Sequence, residues 1–174
     1  MFERFLPKLR VNSVFDIDLE SLYAQGYRGI ITDLDNTLVG AKAPLATPEL
    51  VDWFEKVKNS GFKLVIVSNN NLDRVSKFAA PLNIEFVHKA RKPLGSPFRR
   101  ALGMLGLAPQ EAIVVGDQLM TDVYGGNRMG LFTVLVLPIA VAEEGLGTRV
   151  NRRLERIVKR RLHKSGLWLE EENK

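Results

Sequence analysis

The chain has 174 residues, 45% of them apolar, and a formal charge of +5. It has no cysteine, which excludes a disulfide framework, a thiolate metal centre and a cysteine nucleophile. Its longest apolar run, residues 131–142, is broken by Pro138 and falls well short of the ~20 residues that cross a bilayer. The opening MFERFLPKLR holds no long apolar stretch, so no secretory signal is expected, and a cytoplasmic setting fits.

The charge is uneven. Eight Lys or Arg and one acid, Glu155, lie between Arg149 and Lys164, so that segment carries +7 and the remainder is net acidic. The expected division is a domain over residues 1–147, in which 1–27 form an N-terminal edge segment, and a basic tail over 148–174.

In chain order, LESLYAQ (19–25) predicts a short helix packed at the edge. GIITD (29–33) is then an apolar, β-branched run of the kind buried on both faces. KLVIVS (63–68), EFVH (85–88), AIVVG (112–116) and FTVLVL (132–137) read the same way. Helical patterns lie between them. Residues 46–61 start with Thr47 as N-cap and Pro48, and stop at Gly61. Residues 71–80 end before Pro81, residues 96–106 begin with Ser96 and Pro97, and residues 119–130 form a short helix thinned by glycines. Alternating strands and helices predict a three-layer α/β/α domain around a mainly parallel, five-stranded sheet.

Each strand delivers polar groups to its carboxyl end, where ligands bind in such sheets. Asp33 and Asp35 follow the first, Ser68 and Asn69 the second, Lys92 the third, and Asp117 the fourth, with Asp122 five residues on. Carboxylates gathered in one cleft stay ionised only with a cation among them. All-oxygen donors without His or Cys point to Mg²⁺. A lysine and a hydroxyl in the same cleft suit phosphate, so the set suggests metal-assisted phosphoryl transfer. Residues two apart at a strand end point the same way. Asp33 can then be a carboxylate nucleophile forming an aspartyl-phosphate, and Asp35 a general acid and later a general base. Taken singly, Ser68 reads equally as a strand-end hydroxyl, Asp122 as a helix cap, and Asn69 as a turn residue. His88 and His163 read as structural or surface residues, and Trp53 and Phe54 as core.

DLDNT (33–37), the strand ending in Ser68, Lys92 in KARKP and GDQLMTD (116–122) occur in order. Together they resemble the four signatures of the haloacid dehalogenase (HAD) phosphohydrolases. SVFDI (13–17), VSNNN (67–71) and GGNRMG (125–130) are further similar to the YqeG-type class IIIA branch, itself similar to phosphatidylglycerophosphate phosphatases. The resemblance implies a HAD-like fold and a Mg²⁺-dependent phosphomonoesterase. Asp33 and Asp117 would be metal ligands, Asp35 a ligand through its carbonyl, and Asp122 a more distant ligand or an orienter of Lys92. Ser68, Lys92, Thr37 and Asn69 would hold phosphate.

The gaps from Asp35 to Ser68 and from Ser68 to Lys92 are too short for an inserted cap domain, so a capless, open site is expected. An open site cannot exclude water unaided, which favours a large or membrane-borne substrate. In residues 148–169, Val150, Leu154, Ile157, Val158 and Leu162 recur at helical spacing among basic residues, and Leu167-Trp168-Leu169 follows. Such a helix suits an anionic membrane surface, giving peripheral attachment at the inner face. It also suits packing on its own domain or on a second subunit, and, less well, an RNA backbone. Three functions are therefore open: a phosphatidylglycerophosphate phosphatase, a phosphatase for a soluble phosphoester or nucleic-acid end, and a ribosome- or protein-binding module with vestigial catalysis.

Overall fold

The structure, a computed structural model, describes residues 2–143 and 146–168. Its elements are β1 (Leu9–Val11), α1 (Leu19–Ala24), β2 (Gly29–Thr32), α2 (Pro48–Asn59), β3 (Lys63–Val67), α3 (Leu72–Ala79), β4 (Glu85–Val87), α4 (Gly95–Leu105), β5 (Ala112–Gly116), α5 (Tyr124–Arg128), β6 (Phe132–Val136) and α6 (Leu146–Lys164). The sheet has six strands, in the order β1-β6-β5-β2-β3-β4, and every pairing is parallel.

The sequence pattern predicted five strands, and the sixth is β1. Its Leu9, Arg10 and Val11 pair with Val134, Leu135 and Val136 at the sheet edge. All three are only half-buried, so the stretch lacks the fully apolar signature of the interior strands. Asp33, Ser68, His88 and Leu137, expected as last strand residues, each lie one residue beyond the strand's end. The α4 helix begins at Gly95, one residue before the expected Ser96.

Successive residues of the central strands serve opposite cores, as the two-residue period requires. Ile30, Ile66, Ile113 and Val115 pack with Leu22, Leu50, Trp53, Val75 and Phe78 of α1, α2 and α3. Ile31, Val65, Val67 and Val114 pack with Phe98, Ala101 and Leu105 of α4 on the other face. Helix ends are fixed locally. The Thr47 hydroxyl accepts from Leu50 N at 3.2 Å, and the Asn71 side chain accepts from Arg74 N at 2.9 Å.

From β2 at the centre the chain runs outward through β3 to β4, then returns to lay β5 and β6 on the other side, where β6 pairs with β1, the strand already at that edge. The switch point therefore lies at the carboxyl ends of β2 and β5, where Thr32 pairs with Val115. No cap domain interrupts residues 35–92, which hold one turn, α2, β3, α3, a 3₁₀ turn and β4. Among the described residues no helix is long and apolar enough to cross a membrane.

Candidate active site

At the end of β2, Asp33 N donates to Val115 O at 2.9 Å, so the ladder carries Asp33 to the crevice before the chain bends. The bend is tight. Asn36 adopts φ 65 and its N–H donates to Val39 O at 2.7 Å, while fully buried Leu34 anchors the loop. Asparagine tolerates this left-handed backbone better than most residues. Asp33 and Asp35 then both line one cavity of about 490 Å³, with Ser68, Asn69, Asn70 and Lys92.

Ser68 is buried, and its hydroxyl accepts from Asn70 N at 3.1 Å. The Asn69 side chain joins two loops, accepting from Lys92 N at 2.7 Å and donating to Lys92 O at 3.4 Å. That join turns Lys92 inward while Lys89 and Arg91 stay exposed. Lys92 Nζ donates to Asp33 Oδ1 and Asp122 Oδ1, both at 2.7 Å. Burial alone would lower the Lys92 pKa, but Asp122 and Asp33 outweigh it and hold the ammonium above its usual range.

Beyond β5, residues Leu119–Val123 form a π-type turn, a geometry frequent at functional sites. It folds Asp122 back over Gly116. A Cβ on Gly116 would meet the Asp122 carboxyl carbon at 2.3 Å, so only glycine permits the approach. Asp117 is 2% exposed, and the Thr37 hydroxyl donates to its Oδ1 at 3.1 Å. Thr37, expected as a phosphate ligand, thus has its hydroxyl committed to Asp117.

Carboxylate oxygens of Asp33, Asp117 and Asp122 lie within 4.8 Å of one another, all three residues buried. Burial pushes Asp33 up to about 6, with Asp122 and Asp35 adding to the rise and Lys92 opposing it. Burial likewise pushes Asp117 up to about 8, together with Asp33 and Asp122, against Arg152. Three buried acids crowded into an all-oxygen site fit a hard divalent cation, which would relieve the repulsion.

Asp35 stands apart from that triad. Arg74 Nε and Nη2 donate to its Oδ1 at 3.0 and 2.9 Å, and Asn70 Nδ2 donates to Oδ2 at 2.9 Å. Neither partner was expected from the sequence, although Asn70 lies inside VSNNN and Arg74 falls in the first turn of α3, which starts at the same rim.

The tail also reaches the site. Thr148 and Asn151 of α6 line the cavity. Arg152 forms a close ion pair with Asp117 Oδ2 and donates through Nη1 to Asp117 O at 2.7 Å. Nothing in the sequence separated Arg152 from its seven basic neighbours. Farther along, Leu162 is fully buried, whereas Val150, Leu154 and Ile157 are 57%, 43% and 50% exposed. Trp168 packs against Leu119, Val123 and Leu135, with Arg10 4.8 Å from its ring. It is therefore docked on the domain. Leu169 and the residues after it lie outside the described residues.

A parallel α/β fold with an acid cluster, a lysine and a hydroxyl at its switch point suits a hydrolase that handles phosphate beside an oxygen-bound cation. Residues 16–130 match the haloacid dehalogenase-like hydrolase family, and the chain belongs to it. Over 162 residues it is 49% identical to the "Probable phosphatase YqeG" of Bacillus subtilis (strain 168), covering 93% of this chain and 94% of that protein. It is also 31% identical to the "Phosphatidylglycerophosphate phosphatase 1, chloroplastic/mitochondrial" of Arabidopsis thaliana, over 93% of this chain but only 49% of that longer protein. Among solved structures, an uncharacterized protein from Listeria monocytogenes serotype 4b superposes with a TM-score of 0.52 at 19% identity. It covers 76% of this chain and 99% of its own, a likeness of fold alone. The chain is thus a phosphatase of the HAD type.

Proposed function

We propose that this phosphatase is Mg²⁺-dependent, works through an aspartyl-phosphate on Asp33, and prefers phosphatidylglycerophosphate, releasing phosphatidylglycerol. The observation that carries the mechanism is the meeting of Asp33, Lys92, Asp122 and Asp117 in one buried cluster. Asp33 attacks phosphorus in line, and the bond to the ester oxygen breaks. Asp35, once freed from the Arg74 fork and protonated from solvent, gives that proton to the departing alkoxide. It then takes a proton from the water that cleaves the acyl phosphate, returning both aspartates to their starting states. The Ser68 hydroxyl and Lys92 ammonium hold the phosphoryl oxygens, and Asn69 keeps Lys92 in place. Asp33, Asp117 and the Asp35 carbonyl would hold Mg²⁺, with Asp122 more distant, and the ion would supply charge neutralisation at the phosphoryl group.

The lipid preference rests on the Arabidopsis relative's name, on the capless site, and on the outer face of α6. Exposed Val150, Leu154 and Ile157 lie there among exposed Arg156, Arg160 and Lys164. An apolar strip flanked by cations is complementary to an anionic bilayer, each cation contributing about 1 kcal/mol near it. The enzyme then works at the cytoplasmic face of a membrane as a peripheral protein. Phosphate release from micellar phosphatidylglycerophosphate, measured beside sugar phosphates and nucleotides with added Mg²⁺, tests the substrate. The lipid should exceed the others in kcat/KM by about tenfold or more. Higher kcat/KM on a soluble phosphoester would replace the substrate and keep the mechanism.

A further inference from the structure

The four signatures end at Asp122, yet the Asp117 carboxylate is held from outside them. Arg152 contacts two atoms of Asp117, the carboxylate Oδ2 and the backbone carbonyl, while Thr37 holds Oδ1. A planar guanidinium gripping both ends of one residue fixes its side-chain torsion, which a lysine cannot do. Arg152 is itself fixed. Its Nη1 donates to Glu155 Oε2 at 3.2 Å, and Glu155, only 2% exposed, accepts from Met120 N at 3.2 Å through Oε1. The relay therefore runs from the π-type turn through Glu155 and Arg152 to Asp117. Asn151, one residue earlier, donates to Gln118 Oε1 at 3.3 Å and lines the cavity beside Thr148.

We infer that α6 is a positioning element for the cation site, and that Arg152 is the positioning residue that sets the orientation of Asp117 toward Mg²⁺. This rests on reading Asp117 as a cation ligand. The helix also closes one side of the cavity, through Thr148 and Asn151. Two effects of Arg152 oppose each other. Its charge repels a cation, and its grip pre-organises the ligand. Groups that orient a metal ligand are worth about 10–100-fold in affinity, so orientation outweighs the repulsion.

Calorimetric titration of the full chain with MgCl₂ tests this without turnover. Arg152→Ala should bind Mg²⁺ about tenfold or more weakly. Arg152→Lys should fall between, because it restores charge but not the two-point grip. Arg153→Ala removes the same charge from an exposed neighbour and should match the wild type. The Lys variant carries the test if the Ala variant fails to fold. A wild-type Mg²⁺ affinity in Arg152→Ala, or a tighter one, overturns the assignment. So does an equal loss in Arg153→Ala, which would mark a bulk-charge effect. Absence of Mg²⁺ binding by the wild type removes the clamp and the cation site together. Absence of phosphate release with Mg²⁺ binding and its Arg152 dependence intact would remove only the proposed reaction.

Discussion

At the carboxyl end of β2, two acids leave a strand whose four residues are all buried. Across the same crevice, α6 arrives with Arg152 and Glu155 turned inward and Val150, Leu154 and Ile157 half-exposed. The two regions meet at Asp117 by opposite routes. In the sheet, apolar burial does the folding and the polar groups ride on it. In α6, the part of the docked face beside the crevice is polar: Arg152, Glu155 and Asn151 all find partners on the domain, and buried Leu162 follows only farther along. Burying such groups is costly unless each is paired, and here the pairing is mutual. An apolar stripe on a helix therefore marks one face as different, but does not say which face docks.

The largest effects should come from the sheet side. Asp33→Asn removes the attacking oxygen, and phosphate release should fall by at least about 10³-fold, the scale on which lost nucleophiles are felt. Residual turnover within tenfold of wild type would end the aspartyl-phosphate mechanism. Lys92→Met comes next. It leaves Asp33 and Asp122 facing each other in a buried site without their shared cation. Breaking a buried pair costs about 3–5 kcal/mol, so the urea midpoint in EDTA should drop markedly along with turnover. A stability loss under about 1 kcal/mol would show that the Asp33–Lys92–Asp122 bridge is not what holds the crevice together.

The sheet was legible because its strands are covered on both faces, and an uninterrupted apolar run can mean little else at that length. Asp33, Ser68, Lys92, Asp117 and Asp122 were legible because each follows such a run or lies a few residues beyond it. What β1 lacked was that signature, being half-buried at an edge. Arg74 and Asn70 escaped notice because their partner, Asp35, is more than 30 residues away along the chain. Arg152 was hidden by its surroundings. One basic residue among eight carries no local mark of pairing with an acid 35 positions earlier. Spacing predicted the helix and left its docking open. Trp168, left open between an anionic surface and the domain, packs on Leu119 and Leu135, a contact no helical period could reveal.

A smaller effect isolates the outer face of α6. Val150→Gln, Leu154→Gln and Ile157→Gln combined remove the exposed apolar strip while keeping every charge and good helix formers. Binding to vesicles containing anionic lipid, read by flotation, should weaken by about tenfold or more, since each aliphatic side chain adds of order 1 kcal/mol when it enters the interface. The thermal midpoint should stay within a degree or two. Unchanged flotation would assign α6 to the cavity alone and return the lipid reading to the substrate.

The smallest effect separates the two regions by pH. Without a cation, burial, which disfavours the charged forms, pushes Asp33 and Asp117 up from a usual 3.8 to about 6 and about 8. The folded chain therefore binds more protons than the unfolded chain between about pH 4 and 8, and stability must fall as pH rises through that window. A salt-bridged surface carboxylate behaves otherwise: its contribution is lost only as pH falls below about 5 and is complete over this window. Lys92, raised above its usual value, stays charged throughout and adds no slope there. The unfolding midpoint in EDTA should thus decline from pH 5 to pH 8, and Asp117→Asn should flatten the part above pH 6. Mg²⁺, which favours the ionised acids, should raise the midpoint more at pH 8 than at pH 5. A wild-type midpoint that climbs from pH 6 to pH 8, with the same slope in Asp117→Asn, would mean that Arg152 compensates Asp117 fully without a metal. The site would then be charge-balanced by α6 rather than waiting for a cation.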